Sequence, residues 1–266
     1  MGFIVEELQL QEALLEKINR QEKIWSPKEM PSEFREALVN LLLIQENCEY
    51  WGGNNYLRYC PVFAPTAEKA AFIAHVGIEE LTHADRVRRL LQGLSVWVRR
   101  VSNVKQERRI LRIFQHPELF TSWAHLLMFN FLMDGAAGQQ LAEFEQGPYG
   151  PWTIMIHAIE EEEMGHVEHG RSGIREWSWR RNGLSELQGA LNDWWPWVMD
   201  VFGAPDSKSK KLSVYHKYHL KEMGNDEARA TFRASVKPFL NEVGLYIPHT
   251  QEFKVSLPSF TGVNIV

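Results

Sequence analysis

Twice along the chain an acid is followed some thirty residues later by Glu-x-x-His: Glu49 before Glu80-Leu81-Thr82-His83, and Asp134 before Glu163-Met164-Gly165-His166. A Glu and a His three apart project from one face of a helix, so each copy can offer a metal one carboxylate oxygen and one imidazole nitrogen. Two such helices, with an acid from each of two others, make up the ligand set of a two-iron carboxylate site inside a four-helix bundle. The repeat therefore predicts an all-α fold built around its own core site.

The pattern alone is not specific, because a chain with ten His and this much Glu meets Glu-x-x-His by chance about once. The helical register around each copy adds the discrimination. Stepping back from Glu163 by threes and fours gives Ile159 and Ile156, and His166 extends the same stripe. Glu161 and Glu162 are expected to turn away from it. Around the first copy the stripe runs Ile73, Val76, Glu80, His83, Val87. Both polar pairs lie in the line of an apolar seam, where ionised groups need a partner or a metal.

Asp134 repeats the anomaly in a segment, Leu126 to Met133, that is apolar nearly all round. Gly147-Pro148-Tyr149-Gly150-Pro151 reads as a turn between antiparallel helices. Asp134 and Glu163 then lie roughly 24 and 20 Å from that turn, at matching depth, whereas Glu143 lies only about 10 Å from it. In the first half the spacing leaves two acids open. Glu49 sits just before Gly52-Gly53-Asn54-Asn55, so either the helix continues past the glycines or Glu46, on the same face, is the ligand.

Helical patterning covers about 6 to 25, 32 to 51, 66 to 93, 103 to 115, 119 to 146, 151 to 172, 183 to 202 and two stretches between 208 and 241, with breakers such as Pro31, Pro61 to Pro65, Pro117, Gly203 and Pro205 at the joints. The expected organisation is an N-terminal helical extension (1–30), the bundle core (31–175), and C-terminal helices with an extended tail after about Pro248 (176–266). With 266 residues, 44% hydrophobic and 24% charged, the chain can bury one sizeable core. A formal charge of -5 gives no reason to expect nucleic-acid binding. Cys48 and Cys60 are too few for a disulfide scaffold, which points to a reducing cytoplasm. The first residues carry no secretory pattern, Glu6 stands where a myristoylation signal needs Ser or Thr, and no apolar run reaches membrane-spanning length.

Asp134-Gly135-Ala136-Ala137, Tyr149-Gly150-Pro151 and Glu162-Glu163-x-x-His166, in that order and spacing, resemble the ferritin-like di-iron oxygenases of the bacterial phenylacetyl-CoA epoxidase catalytic subunit. Further likeness lies in Ala64-Pro65-Thr66, Trp194-Trp195-Pro196, Phe202-Gly203-Ala204-Pro205-Asp206 and Asn225-Asp226-Glu227, so that it covers about residues 40 to 250. The resemblance implies a ferritin-like four-helix bundle with added C-terminal helices. It places the metal ligands on Glu49, Glu80, His83, Asp134, Glu163 and His166, favouring Glu49 over Glu46. It also implies a separate reductase, a CoA thioester substrate, and a related non-catalytic helical subunit, with a homodimer as the other arrangement. Departures occur at Glu79, where the family has Asp, at Leu81-Thr82, where it has Ala-Gly, and in the bulkier Tyr50 to Asn55 stretch. They surround the expected pocket and bear on substrate choice more than on the ligands.

The expected activity is that of a di-iron monooxygenase inserting one oxygen atom into an aromatic acyl-CoA, another thioester or a small organic molecule, with two iron ions, one or both replaceable by manganese. No Gly-x-Gly-x-x-Gly fingerprint or cysteine set for an iron–sulfur cluster is present, so the electrons must come from an external reductase. The competing classes are a ferritin-like iron-binding protein and a non-catalytic oxygenase subunit; six intact candidate ligands speak against the latter. The basic residues between Arg86 and Arg112 could hold CoA phosphates or an acidic partner, but read first as solvated helix surface. Trp194, Trp195 and Trp197 read as core or interface anchors, His169 as a surface histidine first and a group supporting the ligands second, and Thr82 as a hydroxyl satisfied by its own helix.

Overall fold

The computed structural model describes residues 2–209 and 211–249, which form helices joined by turns. In chain order these are α1 (Gly2–Asn19), α2 (Ser32–Tyr59), α3 (Ala67–Gly93), α4 (Trp123–Phe129), a π-helical turn (Asn130–Asp134), α5 (Gly135–Glu145), α6 (Gly150–Ser178), α7 (Gly183–Asp200), α8 (Leu212–Lys217) and α9 (Asn225–Glu242). α2, α3, the α4–π–α5 rod and α6 make the ferritin-like four-helix bundle, with α7 packed on α4 and α6. No helix among the described residues is long and apolar enough to cross a membrane. The tail expected after about Pro248 lies almost wholly outside the described residues.

The helix starts follow local chemistry. Thr66 caps α3 by accepting from Lys69 N at 3.2 Å, Ser122 caps α4 by accepting from His125 N at 3.3 Å, and Pro151 occupies the first turn of α6. α2 does continue past its glycines, to Tyr59 rather than 51. The reason is its crossing with α3: a Cβ on Gly53 would stand 2.8 Å from Gly77 O, and one on Gly77 would stand 3.1 Å from Gly53 O. The glycines let two helix backbones touch, which brings the Glu49 and Glu80 faces close.

Other boundaries differ from the sequence-based expectation, among them the end of α6, which runs to Ser178 rather than about 172. The segment 103–115 is not a helix but a string of 3₁₀ turns, Val104–Gln106 and Arg112–Gln115 among them. Side chains of α2 satisfy several of its backbone groups: Asn47 Nδ2 donates to Arg109 O (3.2 Å), Leu111 N to Cys48 Sγ (3.4 Å) and Asn55 Nδ2 to Phe114 O (3.2 Å). With α2 supplying those partners, the buried Ile110, Ile113 and Phe114 line the bundle without a helix. The rod expected at 119–146 begins at Trp123 and is broken into α4 and α5 by the π turn that carries Asp134. α1 ends at Asn19, because the chain turns at Gln21 (φ 58°) so that Ile24 can pair with the α5–α6 turn, donating to Pro148 O (2.8 Å) and accepting from Gly150 N (3.0 Å). Lys23 Nζ caps the last carbonyls of α5, reaching Gly147 O at 2.7 Å.

Trp194 and Trp195 are buried in the core, as their sequence context predicts, with Trp194 Nε1 donating to His125 O at 2.9 Å. Phe120 and Phe129 pack their edges against the Trp194 ring.

Candidate metal centre

All six candidate ligands, Glu49, Glu80, His83, Asp134, Glu163 and His166, are buried, and they converge between α2, α3, α6 and the π turn. They form two overlapping groups, each with donor atoms within 4.8 Å of one another: Glu49, Glu80, His83 and Glu163, and Asp134, Glu163 and His166. Glu163 belongs to both. Its Oε1 lies 3.6 Å from His83 Nδ1 and its Oε2 3.7 Å from His166 Nδ1, so its two oxygens face the two imidazoles. Glu49 Oε2 stands 3.6 Å from His83 Nδ1, and Glu80 Oε1 stands 3.4 Å from His166 Nδ1 across the bundle.

Both Nδ1 atoms are buried and make no hydrogen bond among the described residues. Polar atoms are rarely left so. Donors about 2.1 Å from one ion stand about 3.0 Å apart at right angles and about 4.2 Å apart when opposed, a range that brackets the spacings seen here. Four carboxylates, Glu49, Glu80, Asp134 and Glu163, share this volume, a charge that two divalent cations would balance. The residues present thus fit bound metal, with Glu163 shared by the two clusters and Glu49 and Asp134 each in one of them.

The electrostatics show the strain such a set carries alone. Burial, then Glu163 and Glu49, pushes the Glu80 carboxyl far above the usual range. Burial and the neighbouring Glu163 push Asp134 up to about 8. Burial also opposes the charge on Glu163, but the facing His166 and His83 hold it down to about 2. Burial disfavours charged His83, yet Glu163 and Glu49 raise it to about 12, and His166 moves in the same direction beside Glu163 and Glu80.

Each imidazole is held from behind by an acid of the opposite helix. His83 Nε2 is hydrogen-bonded to Glu162, and His166 Nε2 to Glu79 at 3.0 Å. The acid preceding each Glu-x-x-His therefore orients the histidine of the other copy, fixing the ring so that Nδ1 faces the centre. This corrects the expectation for Glu162, which does not simply turn away. The signal was present in the sequence, since both copies read Glu-Glu-x-x-His. Glu79, one of the departures from the family pattern, is thus part of the site.

Around Asp134 a second set of bonds was not legible in the sequence. Asn130 Nδ2 donates to Asp134 Oδ2 (2.9 Å) and to Tyr56 OH (2.6 Å), and Tyr56 OH donates to Asp134 Oδ2 (3.2 Å). His169 Nδ1 donates to Asn130 Oδ1 at 3.3 Å while its ring stacks on Phe72 with centroids 4.4 Å apart. It is therefore half-buried rather than a surface histidine, and burial lowers its pKa to about 4.

The acids left aside have other partners. Glu46 is fully buried in an ion pair with Arg100, whose guanidinium lies 3.6 Å from the Tyr50 ring centroid. Glu143 accepts the backbone N–H groups of Glu222 and Met223 at 2.9 and 3.0 Å. Arg88 and Arg89 pair with Asp85, and Arg112 with Asp200, so the basic stretch is largely spent on structural pairs. Thr82 Oγ1 donates to Ile78 O at 2.9 Å, as expected of a helix-satisfied hydroxyl. A cavity of about 40 Å³ adjoins Glu49, Glu80, Asp134 and Glu163, walled on its apolar side by Leu111, Phe114, Phe129 and Met133.

A family model described as "Phenylacetic acid catabolic protein" matches residues 17–256. Among curated relatives, one of the subunits of the 1,2-phenylacetyl-CoA epoxidase of Escherichia coli (strain K12) is 30% identical over 138 residues, 51% of this chain and 44% of that relative. The aligned region thus spans less than half of the relative's length. The match over most of this chain, together with the converged carboxylates and histidines, places it in the family of phenylacetic acid catabolic proteins.

Proposed function

We propose that the protein is a non-haem di-iron monooxygenase of this family, with Glu49, Glu80, His83, Asp134, Glu163 and His166 as metal ligands. The observation that carries the reading is the pair of buried Nδ1 atoms, without a hydrogen bond among the described residues, facing the two oxygens of Glu163. Two iron ions, one or both replaceable by manganese, would supply dioxygen activation, with one oxygen atom entering an organic substrate, the other leaving as water, and two electrons arriving from a separate reductase.

The chain's own residues perform the remaining tasks. Glu79 and Glu162 hold the imidazoles, while Tyr56 and Asn130 hold Asp134 with two donated hydrogen bonds. Leu111, Phe114, Phe129 and Met133 exclude bulk water from the cavity side and offer apolar surface to a substrate. A cavity of about 40 Å³ holds water-sized molecules, so an organic acyl group must displace part of this wall, and Met133, with its flexible thioether on the π turn, is the residue best suited to yield. The substrate class is an acyl-CoA thioester, aromatic first, with other thioesters or small organic molecules next; a related helical subunit or a second copy completes the assembly.

The test is oxygen consumption by iron-loaded protein supplied with a reductase and a panel of acyl-CoA thioesters. Substrate-dependent uptake with oxygenated product, lost in Glu163→Gln, supports the reading; iron oxidation with no substrate dependence across the panel would replace it with an iron-binding role.

A further inference from the structure

Glu49 and Asp134, the two acids that each belong to a single cluster, are both held by an amide four residues upstream. Gln45 Nε2 donates to Glu49 Oε1 on α2, and Asn130 Nδ2 donates to Asp134 Oδ2 (2.9 Å) within the π turn. Side chains at this spacing meet on one helix face. Both acids are buried, so these bonds form inside the site and not on a solvated helix surface.

The two acids are not equally secured. Asp134 has a second donor in Tyr56, and its amide partner Asn130 is fully buried with His169 on Oδ1. Glu49 has Gln45 alone among the amide and hydroxyl donors of the described residues, and Gln45 is only half-buried. Gln45 also lines the cavity of about 40 Å³, beside Glu49, Glu80, Asp134 and Glu163. The other glutamine of that lining, Gln140, donates to Val201 O at 3.4 Å. Gln45 is thus the glutamine of the cavity that is bonded to a candidate ligand.

This bond divides the oxygens of Glu49 between two tasks. Oε1 accepts from Gln45, while Oε2 stands 3.6 Å from His83 Nδ1, inside the ligand group. A carboxylate can close on one ion with one oxygen or with both. A donor on Oε1 opposes the second mode, because an oxygen that turns to the ion gives up its hydrogen bond.

We propose that Gln45 is a positioning residue that keeps Glu49 on the metal through one oxygen, and so holds a coordination position open for a small molecule in the cavity. The proposal rests on the metal reading above and adds a residue that is not itself a ligand. The size agrees: about 40 Å³ admits a diatomic or triatomic molecule but no acyl group.

The experiment is azide titration of the full chain loaded with cobalt(II), whose visible absorption reports a new ligand without reductase or turnover. An Asp134→Ala background confines the ion to the Glu49, Glu80, His83 and Glu163 group. Saturable azide binding is expected there. Adding Gln45→Met, which keeps the side-chain length and removes the donor, should leave cobalt bound and weaken azide binding about tenfold or more. Gln45→Asn keeps the amide, and the Asn130 bond to Asp134 shows that an Asn reaches an acid four residues on, so azide affinity should return to within about threefold. Helical circular dichroism should be retained throughout, since Gln45 is half-buried. Equal azide affinity in Gln45→Met, a loss that Gln45→Asn fails to restore, or loss of the cobalt itself in Gln45→Met overturns the proposal. Cobalt held without azide binding in the background variant also overturns it and leaves the metal reading standing. Failure of the unmodified chain to hold cobalt removes both.

Discussion

Removing Glu79 should weaken the metal half-site that lies farther away in sequence. Glu79 precedes Glu80 and His83 on α3, but its carboxylate holds His166 Nε2 at 3.0 Å, on α6. Its other oxygen stands 3.2 Å from His75 Nε2, so Glu79 is itself positioned. Acids placed behind metal-bound histidines are worth about 10- to 100-fold in metal affinity, or roughly 1.4–2.7 kcal/mol. Glu79→Ala should cost that much at the Asp134, Glu163 and His166 group and leave the Glu49, Glu80 and His83 group nearly untouched. The half-sites can be separated with Asp134→Ala, which cripples the first of these groups, and Glu49→Ala, which cripples the second. Iron(II) or manganese(II) titration against a chelator should show the Glu79→Ala loss in the Glu49→Ala background and less than about a twofold change in the Asp134→Ala background. Glu162→Ala, acting on His83, should show the opposite pattern. An equal loss in both backgrounds, or a loss confined to the half-site on Glu79's own helix, would refute the crossed arrangement.

Three further outcomes follow from the packing and the buried ionic groups. Gly170→Ala places a Cβ 2.6 Å from Phe131 N and 2.9 Å from Leu127 O, backbone atoms that cannot step aside, and should lower stability by about 1–3 kcal/mol in urea unfolding. Arg100→Met strands fully buried Glu46 and should cost about 3–5 kcal/mol, much of it recovered in the Glu46→Met/Arg100→Met pair, as thermal denaturation of the three variants will show. His169, with its folded pKa lowered to about 4 from an unfolded value of about 6.5, stays neutral in the folded protein while the unfolded chain takes up a proton. Its contribution to stability is thus full above about pH 6.5 and lost as pH falls toward 4, so His169→Gln should flatten the acid limb of a stability-versus-pH profile.

The seam around each Glu-x-x-His was readable because helical periodicity is local, and an acid or histidine in an apolar stripe stands out without knowledge of what faces it. Asp134 and Glu163 likewise stand at a common distance from the Gly147–Pro151 turn, a depth countable along the chain, and Glu143 does not. What escaped was set by contacts across the bundle. Nothing local distinguishes the 103–115 segment from a helix, since the groups that unmake it, Asn47, Cys48 and Asn55, belong to α2. Glu46 and Glu49 share a helix face, and the arginine that claims Glu46 is 54 residues away. Tyr56 and Asn130 carry no local signal, and their place around Asp134, with His169 behind Asn130, is set by contacts at the π turn. Glu79 and Glu162 were half-visible, being duplicated in the sequence with a function exchanged in space.

The most direct measurement is metal content per chain after anaerobic loading with iron(II) and removal of excess metal, on the unmodified protein, Glu163→Gln and Glu46→Gln. The account predicts two tightly held ions in the unmodified chain, two again in Glu46→Gln, and loss of tight binding in Glu163→Gln, whose oxygens face both half-sites. One ion or none in the unmodified chain, or two retained in Glu163→Gln, would contradict it.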